Sequence, residues 1–431
     1  MLKPIRMPYS VGRVVIACGT LLMSPLNAEE INSNGRLATI SLKEAITRTV
    51  TLNPELQAFN YELEAQAGRV VQAARTPSPE MNLEIEDALG TGNYQKLDSA
   101  QATMSISWVL ERGVRQHYIN NAQAETEVLS VEGDILRLNA AAETARRYLE
   151  SLAIQARMQY VDKTVQLAQQ TLAAVQRRVK AGKAPKAEIY HAKAELARCQ
   201  LEREDLEHEL LSSNRRLAIQ WGETRLGFTQ VEGDILFLPN ITSLDELQSQ
   251  LENNLVFTRL QSAQRLQKAQ LALAKAKEQP NWTVSAGIRH MEGTGDQALV
   301  AGFSIPFGKN TRNPGRIAEI QANLEKIDLE KISARVKAET DLAVVYGELE
   351  HSLHVIKMVS SDVIPLLEQA LSETRRGYSL GRYGYFELRS VQTELLDAQE
   401  MLIEASVVAH QQIINIEQLT GARLVQLTKA E

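Results

Sequence analysis

His351 and His354 stand three residues apart beside Glu348 and Glu350, in a stretch of helical spacing. An i, i+3 pair of imidazoles with carboxylates nearby can turn one face toward a divalent cation. The same residues also describe an ordinary charged helix face, solvated and without a ligand. His290 and Met291 make a thinner set of donors still. Cys199 falls on an apolar helical stripe, which reads as a small buried hydrophobe rather than a reactive thiol. Two carboxylates are better placed: Glu188 and Glu387 each open a helical run shortly after a glycine-centred break. An acid in a first turn is favoured by the helix dipole for structural reasons alone, so their interest lies in their recurrence. No phosphate-cradling glycine loop, metal-ligand cluster or nucleophile motif occurs, and neither enzyme chemistry nor a cofactor is implied.

The elements carrying those acids occur twice. RVKAGKAPKAEIYHAKAELARCQ, Arg178 to Gln200, is answered by GYSLGRYGYFELRSVQTELLDAQ, Gly377 to Gln399. Gly182 aligns with Gly381, Glu188 with Glu387, Glu195 with Glu394 and Leu196 with Leu395. Continued without a gap, Gly222 meets Gly421. Upstream, Ser41 of SLKEA answers Ser243 of SLDEL, and Asn53 answers Asn254. Solenoid repeats run about 20–50 residues. This far longer period is one structural unit made twice, with internal two-fold pseudo-symmetry.

Each unit reads as helix, strand pair, long helical stretch, tip and helix. Leu42 to Arg75 has a helical pattern that stops at TPSPE, where Pro77 and Pro79 act as breakers. From Gly113 to about Lys180 the chain is helix-forming throughout, a span of about 100 Å at ~1.5 Å per residue. Val161, Val165, Ala168, Leu172, Val175 and Val179 follow a heptad stripe, as do Leu388, Val391, Leu395, Ala398, Leu402, Ala405 and Ala409. Gly182 and Gly381 then punctuate antiparallel coiled-coil hairpins. The strands alternate with period two: Met81, Leu83 and Ile85; Ala102 to Leu110; Trp282 to Ile288; Leu299 to Ile305. Such alternation by itself favours a soluble half-buried sheet, the commoner case, and also fits a barrel with lipid outside and water inside. Four strands cannot close a barrel alone, and an open edge in lipid is forbidden, so the second reading requires a homo-oligomer.

Lys3, Arg6 and Arg13 followed by the apolar Val14 to Met23 and a small-residue site at Ala28 predict an export signal over 1–28. A minority reading makes Val15 to Cys18 a lipobox, with Cys18 lipidated. The remaining boundaries are a 29–37 extension, a first unit over 38–222, a 223–241 linker, a second unit over 242–421 and a 422–431 tail. The strand pairs fall at 80–110 and 281–307, and the tips near 182 and 381. No later run of ~18 apolar residues predicts a spanning helix. A net charge of −6 without a long basic run gives no nucleic-acid footprint.

Over residues 38–421 this arrangement resembles the outer-membrane factor (TolC-like) family. FSIPFGKNTRNPGRIAEIQANLE, Phe303 to Glu325, and the Gly377 to Gln399 tip resemble its heavy-metal cation efflux branch (CzcC- and CusC-like). The resemblance implies a mainly α fold with a small β part: a homotrimer whose 12-stranded barrel, four strands per chain, crosses the outer membrane. A coiled-coil tunnel would continue through the periplasm to a periplasmic adaptor and an inner-membrane RND pump. It further implies that Glu188 is bridged by Tyr378 and Arg382 of the other hairpin, and that Glu387 points into the constriction. Ser390 replaces a second acid common in the family. Val179, Lys180, Ala181, Gly182, Lys183, Ala184, Leu380 and Gly381 would be adaptor contacts. Drug efflux and type I secretion are alternatives within this class; a structural periplasmic coiled-coil or adaptor protein is the alternative outside it.

Overall fold

The computed structural model describes residues 39–111, 113–239, 241–306 and 313–421. The signal at 1–28 with Cys18, the extension at 29–37 and the tail at 422–431 lie outside the described residues. So do Phe307 to Arg312 of the Phe303–Glu325 segment.

Chain order begins with β1 (Thr39–Ile40) and α1 (Leu42–Leu52), whose first turn is capped by Ser41. The sequence pattern reads as one helix from Leu42 to Arg75, but the structure breaks it at Asn53. There α1 ends and α2 (Pro54–Ala73) begins. Asn53 Oδ1 accepts the Glu55 and Leu56 N–H groups, and Pro54 brings no N–H to continue the earlier ladder. β2 (Glu80–Glu86) and β3 (Gln101–Leu110) follow. Then comes the 67-residue α3 (Val114–Lys180), and α4 (Ala187–Ala218) returns along it. β4 (Gln230–Val231) pairs in parallel with β1.

The second half holds α5 (Leu244–Gln250), α6 (Leu255–Ala276), β5 (Trp282–Met291) and β6 (Asp296–Ser304). Then come α7 (Pro314–Met358), α8 (Ile364–Leu380) and α9 (Tyr385–Thr420). Where α3 is continuous, α7 and α8 are parted by a π-helical turn, Val359–Val363, just ahead of Pro365. A proline cannot donate one turn back and its ring crowds the preceding carbonyl, which the wider turn relieves.

The four long strands form one antiparallel sheet in the order β2-β3-β5-β6, with β2 and β6 at its edges. Its register puts Leu83, Met104, Ile288 and Leu299 in one row, and Met81, Ile106, Ala286 and Ala301 in another. These side chains cover one face and are exposed, Leu299 at 90 %. On the other face Arg289 donates to Thr103 Oγ1, Gln101 Oε1 and Glu86 Oε2 at 2.9, 3.2 and 3.0 Å. An apolar exposed face backed by a polar one reverses the usual soluble sheet.

The helices bury three cores along their length. The largest gathers Tyr148, Leu149 and Leu152 with Leu217, Trp221, Leu342, Leu349 and Ile414 around the β1–β4 pair. A small middle one joins Ile154 and Val161 to Leu206. The last, at the hairpin tips, holds Val175, Ala192, Leu371, Tyr378, Tyr385, Leu388 and Leu395. The heptad residues Val161, Ala168, Val175, Leu388, Leu395, Ala398, Leu402 and Ala409 are all buried, so the stripes are the seams. No described helix is long and apolar enough to cross a membrane.

Candidate functional site at the hairpin tips

The two hairpins end in the same turn. At the first, the Gly182 N–H donates to the Val179 carbonyl at 3.0 Å and the Lys183 N–H to the Arg178 carbonyl at 2.9 Å. At the second, Gly381 donates to Tyr378 at 3.1 Å and Arg382 to Gly377 at 2.9 Å. Gly182 and Gly381 sit at φ 68° and 81°, the left-handed conformation that closes a helix and suits a residue without Cβ.

Side chains at the turns differ, and the differences tie one tip to the other. Arg178 stands in the first tip where Gly377 stands in the second. Its guanidinium lies 4.1 Å over the Tyr378 ring and donates to the Tyr378 carbonyl at 2.8 Å and the Lys183 carbonyl at 3.3 Å. Gly377 is the seat of the Tyr383 ring: a Cβ there would come within 2.2 Å of it. Tyr378 is only 2 % exposed, yet its hydroxyl reaches Glu188 Oε2 and donates at 3.1 Å. Burial first, and then the Glu188 carboxylate, push the phenol up to about 12. It therefore stays a protonated donor at any neutral pH.

Glu188 is half-buried in the first turn of α4, where it meets Tyr378 as the resemblance implies. Arg382 stands apart from this contact. Its backbone closes the turn, but among the described residues its side chain makes no hydrogen bond or ion pair within the chain. The cation on Tyr378 is Arg178 instead. Glu387 is exposed, and its Oε2 accepts the Gly384 N–H at 3.1 Å, so the carboxylate caps its own helix. Ser390 donates to Glu394 at 3.0 Å. Behind the tips, Arg389 pairs with Glu195 at 3.1 Å and Gln392 donates to Thr171 at 3.2 Å, binding α9 to α4 and α3.

Val179 and Ala184 are half-buried, while Lys180, Ala181, Gly182, Lys183, Leu380 and Gly381 are exposed at the hairpin ends. His351 and His354 are exposed on α7. Among the described residues no three His, Cys, Asp or Glu side chains gather as a metal set. Cys199 is buried, which pushes its thiol up.

Sequence reasoning missed Arg178 and Gly377. A signal was present: aligned copy against copy, Arg178 opposes Gly377, Val179 opposes Tyr378 and Ala184 opposes Tyr383. Two of those mismatched positions, Arg178 and Tyr378, carry side chains that cross between the tips. The resulting contacts are a hydrogen bond, a cation–π stack and carbonyl bonds, each worth about 1–2 kcal/mol. Such contacts can be exchanged without unfolding the cores beside them.

The sequence profile of the outer membrane efflux protein family matches residues 45–223. The chain is 25 % identical over 373 residues to the cobalt-zinc-cadmium resistance protein CzcC of Cupriavidus metallidurans, covering 85 % of each. Its fold matches the outer membrane protein VceC of Vibrio cholerae with a TM-score of 0.71 at 18 % identity, over 89 % of this chain and 97 % of that one. The open state of the MtrE outer membrane channel of Neisseria gonorrhoeae gives 0.71 at 15 % identity, over 90 % of both chains. CusC gives 0.66 at 15 % identity, over 90 % of this chain and 93 % of that one. The chain is thus similar in sequence over residues 45–223 to the outer membrane efflux protein family, and similar in fold over most of its length to solved outer membrane channels.

Proposed function

We propose that the chain is the outer-membrane exit duct of a tripartite efflux system for heavy-metal cations. The observation that carries this is the four-stranded sheet: apolar side chains cover one face, a polar cluster lines the other, and among the described residues the outer edges of β2 and β6 are unpaired. An unpaired edge is not stable in lipid. Three copies would join β6 of each to β2 of the next and leave a polar lumen. Two recurrences support the duplicated units over 38–222 and 242–421. The tip turns repeat bond for bond, and Asn53 and Asn254 make matching bonds, to the Gln220 and Leu419 carbonyls at 2.7 and 2.9 Å.

In this reading the helices extend through the periplasm, and energy comes from an inner-membrane pump reached through an adaptor at the tips. Glu188, Tyr378 and Arg178 latch one hairpin to the other. Arg382, whose side chain has no partner among the described residues, is available to a neighbouring copy. The exposed Glu387 carboxylates would form a three-fold ring whose field favours cations. The likeness to a cobalt-zinc-cadmium resistance protein supports metal cations as cargo.

The test has two parts. Purified protein should need detergent, run as a trimer and conduct in planar bilayers; a soluble monomer without detergent overturns the duct. A deletion strain should then lose resistance to divalent metals. Sensitivity to drugs alone would reassign the cargo, and loss of a secreted protein alone would indicate a secretion duct.

A further inference from the structure

Two helix faces with the spacing of a coiled-coil seam are left uncovered among the described residues. On α4, Ala197, Leu201, Glu204, His208, Leu211 and Arg215 recur at 4-3-4-3-4 intervals and are all exposed. They lie opposite the buried line of Cys199, Leu206 and Ser213. On α7, Thr340, Val344, Gly347, His351, His354 and Met358 repeat the same intervals, also exposed, opposite buried Leu342 and Leu349. Three histidines thus stand on faces whose spacing is that of a seam.

Bonds between helices set the height of each face. Arg203 donates to Asp162 at 2.7 Å, so His208, five residues further along α4, is level with Arg157 on antiparallel α3. Arg157 pairs with Glu404 of α9 at 3.6 Å. Gln412 donates to Glu348 at 2.6 Å, so Glu404, eight residues earlier, is level with Ile356 on α7. His354 is two residues from Ile356, which puts it within about 3 Å of the height of His208.

The two faces also belong to opposite edges of the chain. The end of α4 meets the start of α2 through the Asn53 bond to the Gln220 carbonyl, and α2 leads into the edge strand β2. The other edge strand, β6, leads into α7. Pairing β6 of one copy with β2 of the next therefore brings α7 of the first beside α4 of the second, antiparallel. With His208 set against His354, the intervals match layer by layer: Glu204 meets Met358, Leu211 meets His351 and Arg215 meets Gly347.

We infer that each boundary between copies holds a divalent transition-metal ion, bound by His351 and His354 of one copy and His208 of the next. The inference rests on the trimeric duct reading and adds a ligand to its subunit boundaries. Imidazoles at i and i+3 share one helix face, and helices packed about 8–10 Å apart leave room for metal–nitrogen bonds of about 2.0–2.1 Å from both sides. Glu350, four residues before His354, or a water completes four-coordination. Among the described residues none of the three imidazoles has a hydrogen-bond or ion-pair partner in its own chain. Nitrogen donors select zinc, cobalt, nickel or copper over magnesium and calcium, which take oxygen ligands. Among the described residues a single chain gathers no metal set, so the site is complete only where two copies meet. An ion held only by the assembled form stabilises that form, and the metal fastens the wall.

The test uses untagged full-length protein in detergent, with zinc alone as the probe. Wild-type trimers should take up one zinc per chain and dissociate at a higher temperature with zinc than with a chelator. His208→Ala and His354→Ala should each remove both effects. Zinc retained by His208→Ala would place the metal on a single chain and overturn the inference, as would wild-type trimers that take up none. His208→Cys combined with His354→Cys checks the placement without metal. Oxidation should link neighbouring copies covalently, and neither substitution alone should do so. No link in a preparation that conducts in planar bilayers overturns the site and leaves the duct. A monomer that neither links nor conducts removes the duct and the site together.

Discussion

The Tyr378 hydroxyl donates to the Glu188 carboxylate at 3.1 Å, joining the last turn of α8 to the first turn of α4 across 190 residues of sequence. The ring below that hydroxyl is buried in the tip core and roofed by Arg178. One side chain thus belongs both to the permanent packing and to a contact that can be exchanged.

That dual role predicts how the tips respond to small changes. Tyr378→Phe keeps the ring and deletes the donor, weakening the hairpin-to-hairpin link by about 1–2 kcal/mol. Arg178→Ala removes the stack and the carbonyl bonds, with a loss of similar size. Each should raise single-channel conductance in planar bilayers, and Glu188→Ala with Arg382→Ala should do so too. Trimers that stay intact with wild-type conductance would take these residues out of the lock.

The raised Tyr378 pKa gives a pH signature. A free phenol loses its proton near ~10, whereas in the folded tip the value is about 12. The fold therefore favours the protonated form. Its contribution is complete below ~10 and is lost as pH rises through the folded value. The tips should loosen in alkali before the rest of the molecule melts, seen as a late tyrosinate absorbance step that Tyr378→Phe abolishes. Retention of that step in the variant would assign it to another tyrosine.

Much of this architecture is legible in the residues, because long heptad stripes and period-two strands report directly which face is buried. Val175 and Leu388 are read correctly as seam residues from spacing alone. Less visible is anything that depends on what lies across a seam. Periodicity says that Arg178 is near a helix end, not that it crosses to Tyr378. The break at Asn53–Pro54 was hidden because Pro54 fits a first helical turn, so the apolar pattern continues through it. Glu387 shows a role that a single helix does make legible: its place in a first turn favours the cap on Gly384 that the structure shows.

Asn53 and Asn254 make a second testable pair. Each caps the following helix through its Oδ1. Each also donates through Nδ2 to a carbonyl two residues before a left-handed glycine, Gly222 or Gly421. Replacing either by Ala removes both bonds and should cost about 1–3 kcal/mol. Replacing it by Asp keeps the cap and loses the donor, so its thermal midpoint should fall between those of wild type and Ala. Equal midpoints for the Asp and Ala variants would show that the cap contributes nothing.

His410 offers an acid counterpart in the large core. It is fully buried, and its Nε2 donates to the Ile235 carbonyl at 3.0 Å while Nδ1 has no partner among the described residues. Burial lowers its pKa, outweighing the opposing pull of that carbonyl and of Asp234. The unfolded chain therefore takes up a proton more readily than the folded one. Stability is full above ~6.5 and declines as pH falls toward the folded value. His410→Gln keeps a donor without titrating and should flatten that acid limb of the stability curve. An unchanged limb would assign the acid loss to carboxylates.

The sheet yields the most direct test of its surroundings. Ile288 lies in the apolar row with Leu83, Met104 and Leu299, and its side chain is 54 % exposed in the single chain. Asn82 lies on the opposite face and donates to Ser107 Oγ at 3.3 Å. In water, adding a charge at either exposed position would be tolerated. Against lipid, Ile288→Arg should cost about 2–4 kcal/mol near the bilayer midplane. Each copy would carry that penalty, so folding into vesicles should fail or slow sharply. Asn82→Lys, facing a wet lumen, should fold and insert like wild type. The sensitivity of one face, set against the tolerance of the other, separates a membrane sheet from a soluble one. If both variants insert equally well, Ile288 does not face lipid.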